Sequence, residues 1–162
     1  MEPRELPKLP QARRYLRSAK WGFEELLAKQ LSDTAFVFYL VGILATLRAV
    51  QHALKNADST LSDEHKRVID EWWWCMPLTS PELHFIRTSR NLILKAGAFP
   101  AFAINSESSI GEGSNLTITG TSYELAYYDE ADERQDLEEA IRDAINWCDR
   151  ELTAIEEKLP PV

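Results

Sequence analysis

Apolar residues recur at spacings of three and four along most of this chain, the period of a helix face rather than of a strand. Gln11 to about Gln30 predicts a first helix, with Tyr15, Leu16, Phe23, Leu26 and Leu27 as its apolar positions. Ser32 or Asp33 suits the cap of a second helix, about Thr34 to Lys55, which is apolar nearly all round and is therefore expected at the centre. Asn56-Ala57-Asp58-Ser59 makes the turn. A third helix, capped at Ser62 or Thr60, runs to about Cys75 and carries Val68, Ile69 and the Trp72-Trp73-Trp74 triplet. A fourth spans Thr79 to Gly97. Thr79 or Ser80 caps it, Pro81 suits its first position, Thr79-x-x-Glu82 has capping-box spacing, and Gly97 with Pro100 ends it.

The helical period lapses over residues 98 to 115. Leu116–Thr119 and Tyr123–Tyr128, bracketing Gly120-Thr121-Ser122, then read as a β-hairpin, and Gly111-Glu112-Gly113 as a loop tip. Asp129 or Asp132 caps a closing helix whose stripe is Leu137, Ile141, Ile145, Cys148, Leu152, Ile155 and Leu159, and Pro160-Pro161 stops it. The pattern predicts a mainly all-α fold: an up-and-down helical bundle of about five helices with a β-hairpin inserted near residues 116–128. It forms a single domain over residues 1–162, with the proline-studded residues 1–10 as a flexible lead-in.

Composition narrows the setting. Thr34 to Leu47 is uncharged, but its 14 residues fall short of the roughly 20 that a spanning helix needs. It reads as a core helix, with no membrane partner. The absence of a signal core and of C-x-x-C or Cys/His groupings points to a cytoplasmic protein with Cys75 and Cys148 as buried thiols. The net charge of −8 is uneven: residues 1–20 carry +4 and residues 129–162 carry −8. That balance disfavours broad binding to duplex nucleic acid and leaves room for a local basic site. Arg13, Arg14, Arg17 and Lys20 line the first helix, where they either pair with the acidic closing helix or hold an RNA backbone.

The fourth helix holds the most informative chemistry. At 100° per residue Leu83, Ile86, Arg90, Leu94 and Gly97 share one stripe, so Arg90 falls in an apolar seam, while His84, Arg87, Asn91 and Lys95 form a polar stripe beside it. A seam arginine either reaches water along its aliphatic stem or meets a partner, a phosphate or another subunit. Arg48, Gln51 and His52 break the apolar second helix; they mark its emergence into solvent or face Arg90 across the bundle. Trp72, Trp73 and Trp74 span about 200° of helix, more than one core face can take. The surplus ring meets the hairpin, a subunit partner or a stacked base. Phosphate loops, dinucleotide fingerprints, nucleophile elbows and metal-ligand spacings do not occur, so neither cofactor nor metal is expected.

A long apolar helix, a helix ending in tryptophans, and then Phe85-x-x-x-x-Arg90-Asn91-x-x-x-Lys95 resemble the HEPN superfamily of small helical bundles, the higher eukaryotes and prokaryotes nucleotide-binding proteins. The resemblance covers about residues 34 to 97 and the closing helix. It implies a bacterial-type homodimer whose cleft holds an Arg, a polar residue directly after it, and a His four to six residues beyond the Arg. In the family's ribonucleases these cut RNA without metal. Here Lys95 stands where the His would be. Metal-free cleavage needs a base for the 2′-hydroxyl and an acid for the leaving oxygen. Histidine does both near neutral pH, whereas lysine, at an ordinary pKa of ~10.4, stabilises phosphate but is a poor base.

The reading that follows is an RNA- or nucleotide-binding protein using Arg90, Asn91 and Lys95 as its catalytic-position residues. His84, Arg87, Arg48 and His52 are candidate nucleic-acid contacts, and Trp72, Trp73 and Trp74 a candidate interface. The alternative is a non-catalytic partner or neutralising subunit in a defence or toxin–antitoxin-type system, its acidic surface masking a basic protein partner.

Overall fold

The computed structural model describes residues 7–28, 33–76, 80–96, 101–110, 118–128 and 134–160; for residues 33, 34, 90–96, 101–110, 118–128 and 134 it describes the backbone alone. Among the described residues the fold is a five-helix bundle with a three-stranded antiparallel sheet. In chain order it runs α1 (Pro10–Ala28), α2 (Asp33–Asn56), a 3₁₀ turn (Asp58–Thr60), α3 (Asp63–Cys75), α4 (Pro81–Ala96), β1 (Ala101–Ile110), β2 (Ile118–Tyr128), β3 (Arg134–Asp136) and α5 (Leu137–Lys158). Ser62 caps α3 by accepting the His65 N–H at 3.2 Å. Ser80 caps α4 by accepting the Leu83 N–H at 3.3 Å. The alternatives Ser32 and Thr79, and the stop residues Gly97 and Pro100, lie outside the described residues.

The hairpin is longer than the sequence predicts. β1 pairs antiparallel with β2 from Ala101↔Tyr127 to Ile110↔Ile118, and Gly120, Thr121 and Ser122 sit inside the ladder opposite Ser108, Glu107 and Ser106. The expected turn is therefore strand. Strand β1 was hidden because Asn105, Ser106, Glu107, Ser108 and Ser109 have weak strand preference, and a Gly-Thr-Ser run imitates a turn. The loop tip Gly111-Glu112-Gly113, with Leu116 and Thr117, lies outside the described residues. β3 adds three residues to β2, and Asp136 at its end caps α5 by accepting the Glu139 N–H at 3.0 Å. The cap thus falls later than Asp129 or Asp132, because Arg134–Asp136 is spent on strand pairing first; those two residues are outside the described set.

The seven stripe positions of α5, from Leu137 to Leu159, are all buried. They meet Leu16 and Phe23 of α1, Leu44, Leu47 and Leu54 of α2, Ile69 of α3, and Leu83 and Ile86 of α4 in one continuous core. α1 and α2 pack closely. A Cβ on Gly22 would lie 3.2 Å from Cγ1 of Ile43, so the glycine permits that approach. α2 is less central than its composition predicts, since Val37 and Phe38 face outward at 54% and 75% exposure. Residues 35–60 are long and apolar enough to cross a membrane by length and composition alone, with mean hydropathy 1.5. Leu40, Ile43, Leu44, Leu47 and Leu54 nevertheless line the bundle interior, the placement of a core helix.

The chain's start is anchored earlier than a ten-residue lead-in allows. Leu9 is fully buried, and Lys8 Nζ donates to the Glu156 and Leu159 carbonyls of α5 at 3.0 and 2.7 Å. The buried Asp58 carboxylate accepts the Gln11 and Ala12 N–H groups at 3.0 and 2.8 Å, so a side chain 46 residues away caps α1. His65 ties the same corner, its Nε2 lying 3.1 Å from the Lys8 carbonyl. Arg13 pairs with Asp149 and Glu156, and Lys20 with Asp149 at 2.8 Å, which joins α1 to α5. The expected pairing of the first helix with the acidic closing helix is present for these two cations. Cys148 is buried and its thiol pushed up to about 12 by burial, whereas Cys75 is exposed. Cys75 departs from the expected pair of buried thiols because it faces outward on the last turn of α3, between the core contacts of Trp72 and Met76.

Removing the Asp58 cap leaves two first-turn N–H groups without their acceptor. Asp58→Ala is expected to cost about 2 kcal/mol, read as a fall in Tm of roughly 5 °C. Asp58→Asn, which keeps an acceptor oxygen, should lose less.

The ion pairs set a pH dependence. Hydrogen bonding and charge from Lys20 and then Arg13, opposed by desolvation, lower the Asp149 pKa. Its folded pKa lies below the unfolded one, so its contribution is present above the ordinary carboxylate range and is lost as pH falls through the folded value. Asp58 runs the other way. Burial raises its pKa against the opposing Ala12 and Gln11 N–H bonds, so its contribution declines as pH rises through its titration. Thermal melts between about pH 5 and pH 2 should show stability falling with acid, less steeply in Asp149→Asn than in the parent.

Candidate functional site

The site is built on α4. Pro81 opens the helix, and the Ser80 hydroxyl, besides capping Leu83, donates to Glu82 Oε2 at 2.5 Å. That bond comes first among the causes lowering the Glu82 pKa, opposed by desolvation and assisted by Arg150, whose Nη2 lies 3.5 Å from Glu82 Oε1. Leu83 and Ile86 are fully buried and Phe85 nearly so, while His84 is exposed and Arg87 half-buried, as the two-stripe pattern predicts. Thr88 Oγ1 lies 3.4 Å from His84 Nε2. Arg90, Asn91 and Lys95 occupy the last two turns of this helix; their side chains lie outside the described residues.

α2 and α4 pack against each other, which brings the helix of Arg48 and His52 beside the Arg-Asn helix. Arg48 is half-buried and its Nη1 donates to Gln51 Oε1, whereas His52 is exposed. Two polar residues are buried on this pair of helices. Gln51 is 98% buried with its Nε2 donor unpartnered among the described residues, and Ser89 is buried on the inner side of α4. The signal for Gln51 was available, since an amide at a core position of an apolar helix is costly unless bonded. Ser89 carried no such signal, because serine is common in any helix.

The tryptophans belong to a different corner. Trp72 packs against the core and donates its indole N–H to Glu151 Oε2 of α5 at 2.5 Å. Trp73 stands edge-on to Trp72 at 6.1 Å, with Lys55 Nζ 5.8 Å from its ring centroid. Trp74 is 83% exposed. So one ring of the triplet meets the core, one is half-covered, and one faces outward. None of these contacts is with α4.

A cleft of about 350 Å³ opens where the N-terminal ends of α4 and α5 meet. Glu82, Asp136, Glu139 and Asp143 line it beside Phe85. Four carboxylates repel a phosphate, so this cleft is not an anion site. Among the described residues no group of three or more His, Cys, Asp or Glu could hold a metal ion. What α4 can offer chemically is hydrogen-bond donation and positive charge. No family model, curated protein or solved structure matches the chain.

Proposed function

We propose that this chain is a HEPN-like protein of the cytoplasm that binds RNA or a nucleotide through α4. Arg90 grips phosphate with its planar fork, Asn91 orients a ribose or phosphate oxygen, and Lys95 adds a point charge. The observation that carries this reading is the continuity of α4. It is one helix from Pro81 to Ala96, fixed to the core by Leu83 and Ile86, so Arg90, Asn91 and Lys95 follow on a rigid element packed against α2. His84 and Arg87 extend its outer stripe toward the N-terminus, and Arg48 and His52 supply a basic flank from α2. Metal-independent RNA cleavage is the activity that the resemblance attaches to such a helix. Lys95 supplies the electrostatic part of that chemistry and not the proton exchange.

The test uses labelled mixed RNA at low salt. Arg90→Ala should weaken binding at least tenfold while leaving the far-UV circular dichroism unchanged. Lys95→His, which restores a group able to exchange protons near neutral pH, should gain or raise metal-independent cleavage over the parent. Equal RNA binding by parent and Arg90→Ala would end the reading, and an unchanged cleavage rate in folded Lys95→His would end its nuclease part.

The homodimer expected of such a protein draws on the exposed apolar surface. Phe38 and Val37 on α2 and Trp74 on α3 are large side chains facing outward. Such surface marks an interface, and a two-fold homodimer is the commonest solution. We assign the outer face of α2 to a second copy of this chain. Light scattering of the parent at micromolar concentration should give a dimer mass and Phe38→Glu a monomer mass; a monomeric parent overturns the assignment.

A further inference from the structure

The fold sorts the four cations of α1 into two classes. Arg13 and Lys20 turn toward α5 and are held by Asp149 and Glu156. Arg14 and Arg17 are exposed, and neither forms an ion pair with any described residue. On the same outward stripe, one turn beyond Arg17 and two beyond Arg14, stands Trp21 at 59% exposure. Tyr15 flanks the stripe at 41% exposure, and Ser18 completes it, its hydroxyl turned back to the Arg14 carbonyl at 3.2 Å. An indole this exposed forgoes burial worth roughly 2 kcal/mol, and two neighbouring guanidinium groups without counter-charges repel one another. An anionic ligand with an aromatic face relieves both at once.

We propose that the Arg14–Arg17–Trp21 stripe of α1 is a contact surface for single-stranded nucleic acid. Arg14 and Arg17 take backbone phosphates and Trp21 stacks on a base. The proposal shares its ligand class with the reading of α4 but uses a different helix and different side chains. Seven residues of helix rise about 10.5 Å, close to three nucleotides at 3.4 Å each, so phosphates and a base of one short segment lie within reach together. The net charge of −8 does not forbid this. Charges beyond the Debye length of about 8 Å are screened, Asp149 and Glu156 of α5 are already paired with Arg13 and Lys20, and Glu24 of α1 lies seven residues, about 10.5 Å of helix, beyond Arg17. A membrane surface fits less well. The apolar face of α1, with Leu16, Phe23 and Leu26, is turned into the core, which leaves Tyr15, Trp21 and Leu27 outside and no continuous apolar face to enter lipid.

The experiment measures anisotropy of a labelled oligouridylate against the full chain over a salt series. It compares the parent with Arg14→Gln/Arg17→Gln, Trp21→Ala, Trp21→Phe and Arg90→Ala. The double arginine variant should bind more weakly and lower the slope of log affinity against log salt by about 1.4, the loss of two phosphate contacts on a single strand. Trp21→Ala should weaken oligouridylate binding roughly tenfold, leave binding of an abasic ribose-phosphate oligomer unchanged, and be rescued by Trp21→Phe. If only Arg90→Ala weakens binding, the α1 stripe is overturned and the α4 reading stands. If only the α1 variants weaken it, the stripe stands and the α4 reading fails. No binding of oligouridylate by the parent at low salt, or equal binding of polyglutamate or of phosphatidylserine vesicles with the same loss in the double variant, overturns the proposal.

Discussion

Burial of one face of α5 is the constraint that organises the bundle. α1, α2, α3 and α4 all pack against that helix; the first four follow one another through short connections, and α5 follows the strands. Five buried Leu and Ile residues on α5 and Leu159 just after it, at about 2 kcal/mol each, give on the order of 12 kcal/mol of gross transfer energy. The exposed and half-exposed ion pairs that accompany it contribute about 0–1 kcal/mol each. The apolar stripe therefore fixes where α5 lies. The Arg13, Lys20 and Lys8 contacts fix its rotation and register against α1. α5 in this role joins helices that α2 already links in part, since α2 packs on α1, α3 and α4.

Long-range polar contacts converge at the opposite end of the chain. Asp58 caps α1 from the turn after α2, His65 reaches the Lys8 carbonyl, and Lys8 in turn caps the end of α5. Three elements distant in sequence thus satisfy one another's unpaired backbone groups at a single corner. Each of these bonds is modest, but leaving the α1 N–H groups unmade inside the structure costs more than forming them gains. This asymmetry ties the entry of α1 to the turn between α2 and α3, and so places the outward stripe of α1 relative to the rest of the bundle.

Local periodicity made most of the helices legible in the sequence. The α5 stripe, the Ser62 and Ser80 caps, and the inward Leu83 and Ile86 against the outward His84 all follow from spacing alone, because helical neighbours are fixed by the 3.6-residue turn. Contacts between distant segments were not legible. Asp58 reads as a turn residue, and nothing in Asn56-Ala57-Asp58-Ser59 says that its carboxylate will meet Ala12. Strand β1 was missed because pairing with β2, rather than its own composition, makes it a strand. For the candidate site, spacing made the exposed His84 and the half-buried Arg87 legible. The Trp72-Trp73-Trp74 arc, too wide for one core face, turns its rings toward three different surroundings.

Charge sorting links these levels to function. The same α5 that collects the core also carries the acids, and it spends Asp149 and Glu156 on Arg13 and Lys20, and Glu151 on the Trp72 indole. Two more of its carboxylates, Glu139 and Asp143, join Glu82 and Asp136 around the cleft at the start of α4. An anion approaching α4 is therefore repelled from the first turn of that helix. The later turns, where Arg90, Asn91 and Lys95 follow, are the part of α4 set farthest from those acids. Distance matters here. Four residues of helix rise about 6 Å, so Arg90 is about 12 Å along the axis from Glu82, beyond the Debye length at physiological salt. An acidic protein can in this way keep a cationic helix end. Its net charge describes the α5 face, and the local arrangement of α1 and of the end of α4 decides what an anion meets.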